Sequence, residues 1–320
     1  MTTALPMGKS LREAFGEALA DIGRREPRLV VLDGDLGSST RADIFEEAHP
    51  DRFFQMGIAE QNLVGAAAGM ATLGLIPWIS TFACFAVARA LDSVRVLVAQ
   101  TELNVKIAGG YAGLLAGMTG KTHLMFNDIA VMRSLAGIVV VSPVDEFETR
   151  QAISVLTDTP GPAYIRLTRP NTPLIFDETY RFELGSAIVL REGDDVALIS
   201  TGTQTARATE AADALAEEGI SVYLVHVPTL KPLDDEAIAT AAARTGHIIT
   251  VEDHSIIGGL GGAITESLAA RRPVWVDRLG IQDVYGESGP DDALLDKYGL
   301  STDRVVDDVR RLVHARRAAS

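Results

Sequence analysis

The sequence predicts an α/β fold: two three-layer α/β domains with mostly parallel sheets, over residues 1–175 and 186–320. Three observations carry the prediction. Helical and strand periods alternate along both halves, which favours parallel sheets joined by crossover helices. A chain of 320 residues with 47% apolar content has enough material for two cores. Between the halves, "RPNTPLIFDETYRFELG" (169–185) is rich in Pro and polar residues, has no period and reads as a linker.

In the first half, "SLREAFGEALADIGRR" carries apolar residues at helical spacing, and Ser10 with Glu13 can form a capping box. "RLVVLDGD" follows as a short buried strand ending in a turn. After a polar stretch over 36–52, the pattern predicts a Gly/Ala helix over 60–73, a strand over 76–82 and a helix over 84–99. A strand around 103–108 runs into a Gly-rich loop, 109–122. A helix near 127–136, the strand "GIVVVSP", the helix "DEFETRQAISVLTD" with Asp145 as its cap, and the strand "PAYIRLT" complete this half. The second half offers "DVALISTG", "SVYLVHVP", "HIITVED" and "PVWVDRLG" as strands with helical stretches between them. No fixed-period repeat or low-complexity segment occurs.

Composition excludes several function classes. A net charge of −14 with no basic stripe argues against a nucleic-acid backbone binder. The single cysteine, Cys84, permits no internal disulfide and fits a reducing compartment. The start "MTTALPMGKS" has no apolar signal core, so a cytoplasmic protein is expected. From Gln61 to Ala88 there is no charged residue, a length that could span a membrane. Gly65, Gly69, Gly74 and Pro77 interrupt it, and Gln61 and Asn62 open it, so a small-residue helix and a buried strand describe it better.

That apolar run opens with a carboxylate, Glu60, and burying one unpaired costs several kcal/mol. Either Glu60 is an exposed helix-start carboxylate favoured by the dipole, or it is a desolvated carboxyl of raised pKa aimed at a ligand nitrogen. Phe82 and Phe85 in "TFACF" could stack on a flat ring or simply fill a core. "GGYAGLLAGMTGKTH" brings five glycines and His123 to a strand's carboxyl end, where open α/β sheets bind ligands, but lacks P-loop spacing. "YIRLTRP" offers Arg166 and Arg169 for an anion or for surface ion pairs, and "DGDLGSS" offers Asp35, Ser38 and Ser39. "EDHSIIGGLGGA" misses G-x-G-x-x-G and reads as a Gly-rich helix start packed at an interface. No Cys or His pair has metal-ligand spacing, and no Ser-His-Asp order stands out.

Together, "RFFQMGIAEQNLVGAAAGMATLGLIPWISTFACF", "GMTGKTH", "VVVSPVDEFETRQAI", "GPAYIRLTR", "TVEDHSIIGGLGGAITE" and "LGIQDVYGESG" resemble the second half of the transketolase family of thiamine diphosphate enzymes. The resemblance implies a pyrimidine-binding domain followed by the transketolase C-terminal domain. It aligns Glu60 with the glutamate that hydrogen-bonds N1′ of the cofactor's aminopyrimidine, and Phe82 and Phe85 with aromatics packed on that ring. His123 aligns with a histidine beside the reacting substrate oxygens, Arg169 with an arginine for the substrate's anionic end, Asp35 with a cofactor-side aspartate and Ser39 with a substrate-side serine. The implied activity is transfer of a two-carbon ketol unit from a ketose to an aldose.

The family's G-D-G motif and its following asparagine, which hold diphosphate and Mg²⁺, have no counterpart: "DGD" (33–35) is in the wrong order and Asn62 belongs to the glutamate motif. A split enzyme is therefore expected, in which a separate N-terminal subunit holds most of the thiamine diphosphate's diphosphate and the Mg²⁺, in a two-plus-two heterotetramer acting on sugars or sugar phosphates. Against the pattern G-E-D-G-x-T-H-Q, Thr119 replaces the acidic residue; Tyr111 stands where a histidine often serves the phosphate end, and Asn127 where a glutamate often opens the next helix. Thr119 and Tyr111 thus join the substrate-binding candidates, while Lys121 reads as a solvated loop residue. The rival readings are a 2-oxo acid dehydrogenase E1 β-type subunit, a deoxyxylulose-phosphate-synthase-like subunit and a non-catalytic partner subunit.

Overall fold

The computed structural model describes residues 5–319, arranged as two large, mostly parallel sheets with helices on their faces and one small ribbon. The ribbon pairs β1 (Met7–Ser10) with β8 (Asn171–Pro173) in antiparallel fashion. The first sheet contains β2 (Leu29–Asp33), β3 (Phe53–Gln55), β4 (Ile76–Phe82), β5 (Lys106–Gly110), β6 (Val139–Val141), β7 (Ala163–Arg166) and β12 (Thr229–Lys231). Its order is β12-β6-β7-β5-β4-β2-β3, parallel except for β12. The second sheet runs β14 (Trp275–Ile281), β13 (His247–Ser255), β10 (Val196–Ser200), β11 (Val222–His226), β9 (Ile188–Arg191), with β9 alone antiparallel.

Local chemistry explains the elements that place the site. Ser10 caps the helix Leu11–Arg25, its hydroxyl accepting the Glu13 N–H at 3.3 Å. β2 and β4 are buried along their whole length, as near-continuous apolar runs are when a parallel sheet is covered on both faces. The uncharged run divides into the helix Glu60–Thr72 and β4. No helix among the described residues is long and apolar enough to cross a membrane.

Four stretches differ from the sequence reading. The segment 84–99 is not one α-helix: Phe85–Arg89 and Val94–Ala99 are wide π-type turns, with Ala90 N–H donating to Phe85 O and Gln100 N–H to Arg95 O. β5 starts three residues later than expected and takes in Gly109 and Gly110, because the Tyr164 ring lies against Gly109 and leaves no room for a Cβ. The stretch 169–185 is docked rather than a free linker. It contributes β8, buries Phe182, and donates the Ile175 and Phe176 N–H groups to Asp145, both at 2.8 Å. Asp145 also caps the next helix as expected, accepting the Glu148 N–H at 3.0 Å. Finally, β9 and β12 are short edge strands with little pattern of their own, and β12 carries the later half of the chain into the first sheet.

The two halves share a core. One apolar cluster runs from Leu32, Leu63 and Ile107 through Val140 to Ile199, Val225 and Leu260. Beside it lies a buried polar junction. Arg166 donates to Asp128 at 2.9 Å and to the Asp253 backbone carbonyl, and Tyr164 donates to Asp128 at 2.8 Å. Asp253 Oδ1 accepts the Leu114 N–H, and Gly113, at φ +76°, leaves no space for a Cβ against Asp253. The glycines of "EDHSIIGGLGGA" do open a helix at this interface: Glu252 accepts the Leu260 and Gly261 N–H groups, and Arg133 donates to Gly258 O.

Burial pushes the Asp253 carboxyl up to about 6 despite the pull of Arg166. A carboxyl with a raised folded pKa stabilises the fold in its protonated form, below its usual titration range, and that contribution fades as pH rises through the folded value. Asp253→Asn should therefore gain stability relative to the parent chain as pH rises from about 4 to about 7, by roughly 2 kcal/mol, in urea unfolding. A pH-independent difference would remove Asp253 titration from the account.

Candidate functional site

The first sheet presents the carboxyl ends of β2, β3, β4, β5 and β7 at one edge, the place where parallel sheets gather ligand-binding loops. A cleft of about 410 Å³ opens there between the β2 turn, the start of the Glu60 helix and the turn after β4. Glu60, only 1% exposed, opens its helix at the wall of this cleft. Its partner is Arg89, whose Nη1 donates to both carboxylate oxygens at 2.7 and 2.8 Å. Arg89 also lies over the Phe85 ring, 4.3 Å from its centroid. The buried carboxylate is therefore neither exposed nor unpaired; a half-exposed guanidinium answers it.

From this pair a row of rings crosses the sheet edge. Phe85 stacks on Phe82 at 5.8 Å, and Phe82 stacks on Tyr111 at 4.0 Å. His123 meets Phe82 and Phe85 edge-on at 6.0 and 5.5 Å, and its Nδ1 is paired with the Thr122 hydroxyl. At the far end, the Arg12 and Arg169 guanidiniums stand 5.7 and 5.8 Å from the Tyr111 ring, and each donates to its hydroxyl at 3.3 Å. Arg12 also donates to the backbone carbonyls of Ser39, at 2.7 Å, and Arg169, at 3.0 Å.

The structure thus brings Asp35, Glu60, Phe85 and His123 to one cleft, with Phe82 behind it. Ser39, Tyr111 and Arg169 form the second group with Arg12. Thr119 joins neither: it lies in the short turn Gly117–Thr119, and its hydroxyl donates to Ala116 O at 2.6 Å. Arg166 belongs to the buried junction rather than to any anion-facing surface. Asp35 is exposed in a left-handed turn (φ +67°), its N–H held by Gln55 Oε1 at 2.9 Å. The buried acid of that turn is Asp33, which accepts from Leu36 N–H and Thr40 Oγ1, with its carboxyl pushed up by burial.

Arg12, Gln55 and Arg89 were not singled out from sequence. The signal for Arg89 was present, since it is the first charged residue after the apolar run that Glu60 opens. Arg12 sits in an ordinary amphipathic helix, and only the tertiary fold brings it to Tyr111. Cys84 is buried and its thiol is pushed up to about 11, so it offers no nucleophile. Among the described residues, no group of three His, Cys, Asp or Glu is placed to hold a metal ion.

Comparison with known proteins assigns both halves. The family model described as "Transketolase, pyrimidine binding domain" matches residues 7–174, and "Transketolase, C-terminal domain" matches 185–305. The chain is 42% identical over 300 residues to the putative transketolase C-terminal section of Methanocaldococcus jannaschii, covering 93% of this chain and 94% of that one. It is 39% identical over 296 residues to the 6-deoxy-6-sulfo-D-fructose transketolase subunit SqwH of Clostridium sp., covering 92% of each. A solved structure described as a split gene transketolase, inactive beta4 tetramer, superposes with a TM-score of 0.88 at 44% identity, covering 96% of this chain and 99% of that one.

The Glu60–Arg89 pair is testable on the chain alone. Arg89→Ala should cost about 3 kcal/mol, because it leaves the buried Glu60 carboxylate without its partner, and most of that loss should vanish in a Glu60→Gln background. An equal loss in both backgrounds in chemical denaturation would assign Arg89 to packing on Phe85 instead.

Proposed function

The chain belongs to the transketolase family, and we propose that it is the pyrimidine-side and C-terminal subunit of a two-subunit enzyme that moves a two-carbon ketol unit from a ketose to an aldose. The observation that carries this reading is the buried Glu60 carboxylate, set in a cleft beside Phe85 and His123. The residues fit the aminopyrimidine of thiamine diphosphate. Phe85 and Phe82 offer flat apolar surface, and once Arg89, which is half in solvent, swings aside, Glu60 could donate to a ring nitrogen as the acid or accept from a protonated one as the carboxylate.

Thiamine diphosphate, when bound, supplies the electron sink that lets a carbon–carbon bond beside a carbonyl break. The chain's own residues bind and orient. Glu60, only 1% exposed, would hold the pyrimidine nitrogen through a shared proton, in surroundings where such a hydrogen bond is stronger than in water. His123, its Nδ1 engaged by Thr122, keeps Nε2 free to hold or pass a proton at a substrate oxygen. Arg12 and Arg169 together form a cationic end for a charged substrate group, with Ser39 and Tyr111 beside them. Phe82 and Tyr111, stacked at 4.0 Å, separate this end from the cofactor end.

The diphosphate and Mg²⁺ fall to a partner subunit. A surface suited to it lies beside the cleft: on the helix Glu60–Thr72, Gly65 and Gly69 have almost nothing packed over them, and Ile58, Leu73 and Leu97 are 73%, 81% and 39% exposed. This face carries no charge from Gln61 to Leu73 and suits close packing against a second chain. The description of the solved split-gene relative as an inactive tetramer supports the same dependence.

Purified alone, with thiamine diphosphate and Mg²⁺, the chain should show no ketol transfer, and adding the N-terminal subunit should restore it. Turnover by the isolated chain would end the split-site reading. In the reconstituted enzyme, Glu60→Gln should lower kcat by about 100-fold or more with the fold intact. At the other end, Arg12→Ala should raise KM for a phosphorylated acceptor by about tenfold, leaving kcat and the KM for an uncharged acceptor nearly unchanged. Equal effects on both acceptors would remove Arg12 from anion recognition.

A further inference from the structure

Arg89 takes up both surfaces that make the cleft fit a flat nitrogen heterocycle. One is the buried Glu60 carboxylate, to which its Nη1 donates at 2.7 and 2.8 Å. The other is the Phe85 ring, whose centroid lies 4.3 Å below the guanidinium carbon. Glu60, Phe85 and Arg89 line the same cleft of about 410 Å³. A guanidinium is a planar, delocalised cation that carries N–H donors in its plane and stacks on aromatic faces. An aminopyrimidine protonated on a ring nitrogen has the same character: flat, delocalised, with an N–H in its plane for a carboxylate.

The main chain and the side chain of Arg89 are held differently. Arg89 ends the wide turn in which Ala90 N–H donates to Phe85 O, and its carbonyl accepts the Gln61 side-chain amide at 3.3 Å. The Arg89 side chain, by contrast, is 46% exposed, while the carboxylate it covers is 1% exposed. Rotation of this side chain therefore uncovers Glu60 and the Phe85 face with the backbone left in place. Among the described residues no other group donates to the Glu60 carboxylate, so covered and uncovered forms differ in this one contact. A ligand that needs the uncovered form binds with an apparent affinity reduced by the fraction uncovered.

We propose that Arg89 is an internal stand-in for the pyrimidine ring: a latch that occupies both surfaces in the separate chain, lowers its affinity for the ring, and opens by rotating into solvent. Its role toward the ring rests on the function proposed above. The latch itself requires only that a flat cation compete with Arg89 for Glu60 and Phe85.

Calorimetric titration of the full chain with benzamidinium, and separately with the hydroxymethyl aminopyrimidine fragment of thiamine, tests this. Both probes should bind the parent chain weakly and Arg89→Ala at least about tenfold more tightly. Arg89→Lys keeps a cation for Glu60 without a planar face for Phe85, so it holds the fold should Arg89→Ala lose it, and it should bind both probes severalfold more tightly than the parent. Adding Glu60→Gln to either variant should abolish the gain for benzamidinium. Equal affinity for benzamidinium in the parent and the Arg89 variants would overturn the latch. A gain that survives Glu60→Gln would overturn it too, since the probe would then only be filling the space that Arg89 leaves. A gain for benzamidinium without one for the aminopyrimidine would bear out the latch and overturn the pyrimidine reading of the cleft.

Discussion

The Glu60 carboxylate has to be compensated wherever it is buried, and the architecture of the cleft follows from that need. From Gln61 to Ala88 the chain offers no charge, so the first cation able to return to Glu60 is Arg89. The turn Phe85–Arg89 delivers it, with the guanidinium lying on Phe85 while it binds both carboxylate oxygens. An α-helical continuation would make i→i+4 bonds, whereas the observed i→i+5 bond from Ala90 to Phe85 widens the turn beside the cleft. The carboxylate is thus answered by two short hydrogen bonds from a guanidinium that water still reaches.

The cleft keeps its shape because the loops around it are tied from below. Gln55 Oε1 accepts both the Asp35 and Gly57 N–H groups, joining the β2 turn to the segment that enters the Glu60 helix. Asp33 holds the same turn from inside through Leu36 N–H and Thr40, and Thr40 accepts in turn from Ser80 on β4. The Gly-rich loop is anchored to the second half of the chain instead: Leu114 N–H to Asp253, Gly117 N–H to Asp291. His123 is therefore carried by a loop whose position depends on the junction between the halves. The buried Arg166 network sits under that junction and links the fold of one half to the site geometry of the other.

Much of this was legible in the sequence, for identifiable reasons. Strong periods gave the helix Leu11–Arg25 and the strands β2, β4, β10, β11 and β13, because burial on two faces writes itself into composition. The edge strands β9 and β12 and the β1–β8 ribbon left no such mark; three or four residues paired at an edge need only a partner, and the partner is remote in sequence. The site divides in the same way. Glu60, Phe82, Phe85 and His123 stand in local motifs, and the fold brings them close together. Thr119 was placed by motif alignment, but its hydroxyl is spent within its own turn. Arg12 is 99 residues from Tyr111 and had no local signature.

The charge of the whole molecule gives Arg12 and Arg169 their significance. A chain with net charge −14 repels an anion at long range, yet at physiological ionic strength that field decays within about 8 Å. Any anion held by this chain must therefore be held locally, by guanidiniums close enough to act inside that distance. Arg12 and Arg169 meet the condition together, since both reach the Tyr111 hydroxyl, and each donates at 3.3 Å. Tyr111 is a neutral hub that neither repels them nor competes for their charge, and its ring gives both a polarisable face. Phe82 stacked on the other side of Tyr111 extends that face toward His123. The row of rings therefore sets the distance between the Arg12–Arg169 pair and His123.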